Sequence, residues 1–328
     1  MSGMNKDMAC RLIRASHLAY DIDYNQPLAG QSDKVSQQIA TIGYDASTFK
    51  FKASGVDACL YGETMDGIGI LAFRGTLPPS LGLEDPARFF DVLSDWLNDG
   101  KVPLVTGQHL AGRVHNGFLK SLDALWPAIK EFIPTPRSKP VYVTGHSKGG
   151  GMAYLAAYRL LEELNIQPII YSFAAPRAGD AQFAAAFKQR IAEAWRFEYR
   201  DDLVPHLPLH TGAWFHILQG LHAVDTKFPA EAPHFKLASD AASSFETLLC
   251  LVQKNAASID LNYMSAGTLQ FIGWDNPLSI QPDSRGLSWE RELSLAKKLA
   301  EFKLAEIIQD HASDGGYMIC PCDQIREL

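Results

Sequence analysis

The sequence predicts an α/β domain built on a mostly parallel sheet. Three observations carry that prediction. Short β-branched and aromatic runs alternate with alanine- and leucine-rich runs of helical period, the order that lays helices on the faces of a sheet. The run IGILAF at 68–73 is apolar throughout, as a strand covered on both faces is. Residues 141–164 then read as a strand, a serine between glycines and a helix in direct succession.

Taken in order, the strands are expected at 57–62, 68–73, 141–144, 168–173, 195–199 and 268–272, and the helices at 116–131, 148–164, 180–193 and 288–310. The last is expected as one long amphipathic helix, with Trp289, Leu293, Ala296, Leu299, Phe302 and Ala305 along one side. Two segments read as additions to the sheet. In 77–97, Asp85 can cap a helix that starts at Pro86. Phe89, Phe90, Leu93, Trp96 and Leu97 then form an apolar stripe at helical spacing. The second, 211–262, separates the strands at 195–199 and 268–272 and contains the apolar stretch FETLLCLV. All 328 residues are expected to form one domain, with 77–97 a candidate lid and 211–262 a helical insertion.

Composition narrows the function. Hydrophobic residues make up 47% and charged residues 20% of the chain, a globular profile. Net charge is −7 with no basic block, which disfavours nucleic-acid binding. No window reaches the roughly 18 uninterrupted apolar residues of a membrane span. Five cysteines, at 10, 59, 250, 320 and 322, form a sparse odd set that argues against a disulfide framework, and Cys320 and Cys322 are expected as free thiols. Cys320-Pro-Cys322 lacks a second pair at zinc spacing. The first twenty residues show no secretory signal, which sets a cytoplasmic expectation, with signal-independent secretion as the alternative.

The chemistry centres on GHSKG at 145–149. It fits the G-x-S-x-G nucleophile elbow, which needs a strand before it, a helix after it and glycines where a side chain would collide. The bland alternative is an ordinary helix-capping serine. A serine hydroxyl needs a base, an acid to orient the base and donors for the oxyanion. In elbow enzymes the acid and the histidine follow the serine in the chain. Asp201 and Asp202 follow a strand, where a sheet of this type gathers its site. Six histidines lie beyond Ser147, at 206, 210, 216, 222, 234 and 311. His206 is too near the aspartates along the chain to turn back, and His311 ends a helix ahead of a small-residue loop.

Several blocks resemble the class 3 lipases, the α/β-hydrolase family that includes fungal triacylglycerol lipases. FRGT (73–76), DWLND (95–99), VHNGF (114–118), GHSKGG (145–150), FAAPRAGD (173–180), DDLVPHLP (201–208) and DHASDGGYM (310–318) match the family's motifs in order. The resemblance implies an α/β-hydrolase fold. It gives Ser147 as nucleophile, Asp202 as acid with Asp201 a solvated turn residue, and His311 as base with His216 as the rival. The oxyanion donors it implies are the N–H groups of Thr76 and Lys148. It assigns His115 to support of the oxyanion strand and leaves His146 buried beside the nucleophile. The long interval between Asp202 and His311 departs from the fungal members and coincides with the 211–262 insertion. Lys148 stands where the family carries an apolar residue or Gln. A cation there opposes the helix dipole, so its side chain is expected to meet an acid or water.

The expected activity is hydrolysis of carboxylic esters of lipids without metal or cofactor. A carboxylesterase, a feruloyl-type esterase or a phospholipase A1 is the alternative, and a silent binding module a further one. The expected partners are an ester or lipid substrate and a transient lipid interface.

Overall fold

The computed structural model describes residues 3–76, 103–208, 262–275, 278–284, 287–300 and 303–322. The candidate lid at 77–97 and all but the last residue of the 211–262 insertion, together with His210, His216, His222, His234 and Cys250, lie outside the described residues.

Eight strands form the main sheet: β1 (Lys50–Ser54), β2 (Asp57–Glu63), β3 (Gly69–Phe73), β6 (Val141–His146), β7 (Pro168–Phe173), β9 (Ala194–Tyr199), β11 (Thr268–Ile272) and β12 (Ile280–Pro282), side by side in that order. β3, β6, β7, β9 and β11 run parallel, while β1, β2 and β12 pair antiparallel at the edges. A small second sheet joins four two-residue strands, β4 (Leu104–Val105), β5 (Val114–His115), β8 (Gly179–Asp180) and β10 (Tyr263–Met264). Every strand expected from the sequence is present. β3 is buried at all five positions, which is why its sequence shows no alternation.

Helices cover both faces. On one, α3 (Asn116–Phe132) and α4 (Lys148–Leu164) bury Phe118, Leu122, Trp126 and Leu155. On the other, two helices that the sequence reading did not anticipate, α1 (Lys6–Asp21) and α2 (Asp33–Ile42), bury Leu12, Ile13, Leu18 and Ile39. Their capping signals are in the sequence. Asn5 accepts from the Met8 N–H, and Ser32 from the Val35 N–H, each satisfying a first-turn donor.

Two expectations are corrected here. The helix expected over 288–310 is two, α6 (Leu287–Ala300) and α7 (Leu304–His311). In a continuous helix Lys298 and Asp310 would stand about 18 Å apart. The break lets Lys298 Nζ lie 3.0 Å from Asp310 Oδ2. The cysteines are not all free: Cys10 and Cys322 form a disulfide across 312 positions, whereas Cys59 and Cys320 are buried thiols. Sequence spacing carries no signal for a bridge between opposite ends of a chain.

Candidate active site

β6 ends at His146, and α4 starts at Lys148. Ser147 alone makes the turn, at φ 58°, ψ −133°, a backbone conformation that costs on the order of 1–3 kcal/mol and is held by its surroundings. Those surroundings are close-packed. A Cβ on Gly145 would meet the Gly149 carbonyl at 2.3 Å, and one on Gly149 would meet the Phe73 carbonyl oxygen at 2.3 Å. The turn therefore wedges directly against the end of β3. The Ser147 side chain does not cap α4, so the capping-serine alternative does not describe it.

The 199–208 segment and the end of α7 bring Asp202 and His311 together. His311 Nδ1 lies 3.0 Å from each carboxylate oxygen of Asp202. Asp202 also accepts from the Val204 N–H at 2.9 Å and from the Tyr317 hydroxyl at 2.7 Å. The Tyr199 N–H in turn donates to Tyr317 Oη at 3.0 Å. Three donors on one buried carboxylate fix its orientation. With Nδ1–H committed to Asp202, the lone pair of the His311 ring is on Nε2, the tautomer a general base requires.

His146 ties this pair to the elbow. Its ring centroid lies 4.8 Å from that of His311, and its Nε2–H donates to the His311 carbonyl at 2.8 Å. That leaves His146 Nδ1 as acceptor for the Tyr20 hydroxyl at 3.0 Å, and Tyr20 itself accepts from the Gly75 N–H. Burial, followed by the neighbouring His311, pushes the His146 pKa well below 6.5. A neutral ring keeps this tautomer over the working pH range. One chain of hydrogen bonds thus joins Gly75, Tyr20, His146 and His311.

The oxyanion candidates flank the serine. Gly75 packs against it: a Cβ there would stand 3.1 Å from Ser147 Cβ. The next residue, Thr76, carries a buried hydroxyl with no partner, an orphan that calls for a ligand or water. Lys148 opens α4, so its N–H has no carbonyl four residues back. The Lys148 side chain meets an acid, as expected: Nζ lies 2.6 Å from Asp57 Oδ1, both side chains being mostly buried. Arg74 grips the same turn, through Nη2 to the Val56 carbonyl and its N–H to the Ala58 carbonyl. Residues 56–58 therefore brace both oxyanion candidates.

Three further readings are corrected or placed. Asp201 is not a solvated turn residue. It is 1% exposed, its Oδ2 lies 2.9 Å from Lys298 Nζ, and it accepts from Trp274 Nε1 at 3.2 Å. It is buried because Lys298 also bridges Asp310, pinning the neighbours of Asp202 and His311 to one cation. His115 does not brace the oxyanion strand. Its Nδ1 accepts from the Phe118 N–H and so caps α3, with the ring stacked on Phe118. His206 turns away from Asp202 to Arg291, Nη2 to Nε2 at 3.5 Å.

Sequence reasoning missed Tyr20, Asp57, Lys298 and Tyr317 as contributors. Only Tyr317 had a signal, as the Tyr that closes the DHASDGGYM block.

A mostly parallel sheet with a strained serine at a strand-to-helix turn and a downstream Asp–His pair matches the α/β-hydrolase fold. Comparison with known proteins agrees. The family profile for "Lipase (class 3)" matches residues 88–212. It is 33% identical over 102 residues to a lipase of Caenorhabditis elegans, covering 30% of this chain and 29% of that one. To "Secreted mono- and diacylglycerol lipase 1" of Fusarium solani it is 31% identical over 119 residues, 35% of each chain. To the Rhizomucor miehei lipase it is 32% identical over 136 residues, 37% of each. The matched segments thus span about a third of these relatives. Among solved structures, a triacylglycerol lipase described as having a serine-protease triad superposes with TM-score 0.56 at 18% identity, over 87% of this chain and 86% of that one. A lipase of Rhizopus microsporus var. chinensis gives 0.56 at 17%, over 91% and 87%. These two share the fold. The cytoplasmic expectation is corrected: relatives from Fusarium solani and Penicillium are named as secreted lipases.

Proposed function

We propose that the chain hydrolyses carboxylic esters of lipids through an acyl-enzyme on Ser147. The observation that carries this reading is the commitment of His311 Nδ1–H to Asp202, beside a serine held in a strained, uncapped turn. His311 Nε2 takes the Ser147 proton as Oγ attacks the ester carbonyl. Asp202 steadies the imidazolium that forms, and the same proton goes to the departing alkoxide. Water then attacks the acyl-enzyme, with His311 again the base, and the acid is released. The N–H groups of Thr76 and Lys148, with the Thr76 hydroxyl, receive the oxyanion in each tetrahedral intermediate.

Lipid esters are the favoured substrates because the relatives are named lipases, including mono- and diacylglycerol lipases. We extend the reading to residues 77–97 as a lid whose apolar stripe meets a lipid interface. Among the described residues no helix is long and apolar enough to cross a membrane.

The test is a p-nitrophenyl ester series from acetyl to palmitoyl. Ser147→Ala and His311→Ala are each expected to lower kcat by roughly 10⁴-fold or more, and Asp202→Ala by about 10⁴-fold. The rate is expected to rise sharply as a long-chain substrate exceeds its solubility. Full activity in Ser147→Ala would end the acyl-enzyme reading, and smooth saturation with fastest turnover of short soluble esters would end the lipid reading.

A further inference from the structure

The acid and the base reach the site on separate segments. Asp202 follows α5 (Ala181–Arg190) and β9, and His311 ends α7, 109 positions further on. A single contact between two segments leaves each free to pivot about it. A shift of about 1 Å in such a pair can cost on the order of a hundredfold in rate.

Lys298, on α6, supplies a second link between the same two segments. Its Nζ lies 2.9 Å from Asp201 Oδ2 and 3.0 Å from Asp310 Oδ2, and these are the residues immediately before the acid and immediately before the base. Asp310 Oδ2 also accepts from the Asp201 N–H at 3.3 Å, which ties the helix of the base to the backbone of the turn that carries the acid. Trp274 Nε1 donates to Asp201 Oδ2 at 3.2 Å, while Asp201 Oδ1 is buried without a partner. The hold on the Asp201 carboxylate therefore comes from outside its own turn, from α6 and from the loop after β11.

The Asp201 and Asp310 side chains are 0% and 6% exposed and that of Lys298 18%. The third acid on Nζ, Glu306 at 3.4 Å, is 52% exposed, where water screens it. Burial works against the ammonium, but Asp201 and then Asp310 outweigh it, and the Lys298 pKa is raised. The cation is therefore kept over the working pH range. Buried ion pairs seldom stabilise a fold more than apolar side chains of the same volume would. Stability is thus a weak reason for this triad of charges, and its placement on the neighbours of Asp202 and His311 is a stronger one.

We propose that Lys298 is a positioning residue of the hydrolytic site, its ammonium holding the acid's turn and the base's helix in the register that keeps the His311 ring on Asp202 and facing Ser147. Lys298 itself touches no reacting atom. The inference rests on the acyl-enzyme reading above.

The experiment measures kcat and KM for p-nitrophenyl butyrate at pH 8 on the full chain and its variants, with folding checked by circular dichroism. Lys298→Met is expected to lower kcat at least about tenfold with KM within about twofold of the parent. Lys298→Arg keeps the charge and is expected to stay within about threefold of the parent. In an Asp202→Ala background, Lys298→Met is expected to change the residual kcat by less than about twofold, since no acid is left to be placed. A loss through general softening of the fold would appear equally in both backgrounds. Asp201→Asn removes one carboxylate charge at constant volume and reads the same register even if Lys298→Met fails to fold. It is expected to lower kcat at least about threefold, again only where Asp202 is present. A kcat within twofold of the parent in the folded variants, an equal fold-loss with and without Asp202, a loss confined to KM, or Lys298→Arg as slow as Lys298→Met would each overturn the proposal. Hydrolysis that survives Ser147→Ala would sink the acyl-enzyme reading, whereas Ser147-dependent hydrolysis that is indifferent to Lys298→Met sinks this inference alone.

Discussion

At the residue scale the candidate site is a set of single hydrogen bonds that each remove one degree of freedom. The Tyr20 hydroxyl accepts from Gly75 and donates to His146, which holds the His311 carbonyl. Tyr20→Phe removes both bonds without adding volume. We expect kcat on a soluble ester to fall about tenfold with KM nearly unchanged, because the lost contacts orient the base and the oxyanion strand and do not touch the substrate. Steady-state kinetics on the purified variant checks the split. Lys148 makes a second residue-scale case. Its pairing with Asp57 assigns the side chain to the fold and not to substrate charge. Lys148→Met is expected to lower stability by about 1–3 kcal/mol, by leaving Asp57 unpaired in a mostly buried position. The ratio of rates on neutral and anionic esters should not change, and a shifted ratio would restore a substrate role for the ammonium.

At the scale of elements, the break between α6 and α7 matters most. It folds α7 back so that Lys298 reaches Asp201 and Asp310 together. The residues next to the acid and the base thus share a cation while Asp202 and His311 pair with each other. One lysine cannot satisfy every carboxylate around it. Burial raises Asp310 from its ordinary 3.8 to about 6 against the pull of Lys298. The fold therefore binds this proton more tightly than the unfolded chain does. The resulting stability is full below about pH 4 and is lost as the pH rises through about 6. Asp310→Asn should flatten that part of the stability profile, measured as urea midpoints from pH 4 to 8. An unchanged slope would show that Asp310 titrates normally. The elbow is the other decisive element, since β6, Ser147 and α4 leave no space at Gly145 or Gly149 for a side chain.

Over the whole molecule, α1 connects parts that lie far apart in sequence. It packs on the sheet beneath β6, where Ser16 Oγ meets Thr144 Oγ1 at 3.0 Å. It supplies Tyr20 to the site and sets His17 Nδ1 2.9 Å from Ser313 Oγ, two residues past His311. The Cys10–Cys322 bridge fastens this helix to the segment that follows the histidine loop. Closing so long a loop restricts the unfolded chain strongly, so Cys10→Ser should cost about 2–5 kcal/mol. Chemical denaturation of that variant, and of the parent chain with and without reductant, measures it. Equal stability in all three would show that packing alone holds α1.

The sequence by itself determined the parts that depend on neighbours along the chain. The strand, serine and helix of 141–164 were legible because hydrophobic period and glycine placement act locally, and the motif blocks carried Asp202 and His311. Tertiary structure alone decided the partners. That Lys148 meets Asp57, that Asp201 is buried on Lys298 and that Cys10 finds Cys322 all depend on which surfaces the sheet brings together. Nothing in the spacing of those residues encodes it. A hydrogen bond or ion pair is selected by distances of a few ångströms in space, and the chain separations involved, from 91 residues to 312, set no preference among the available partners until the core has packed.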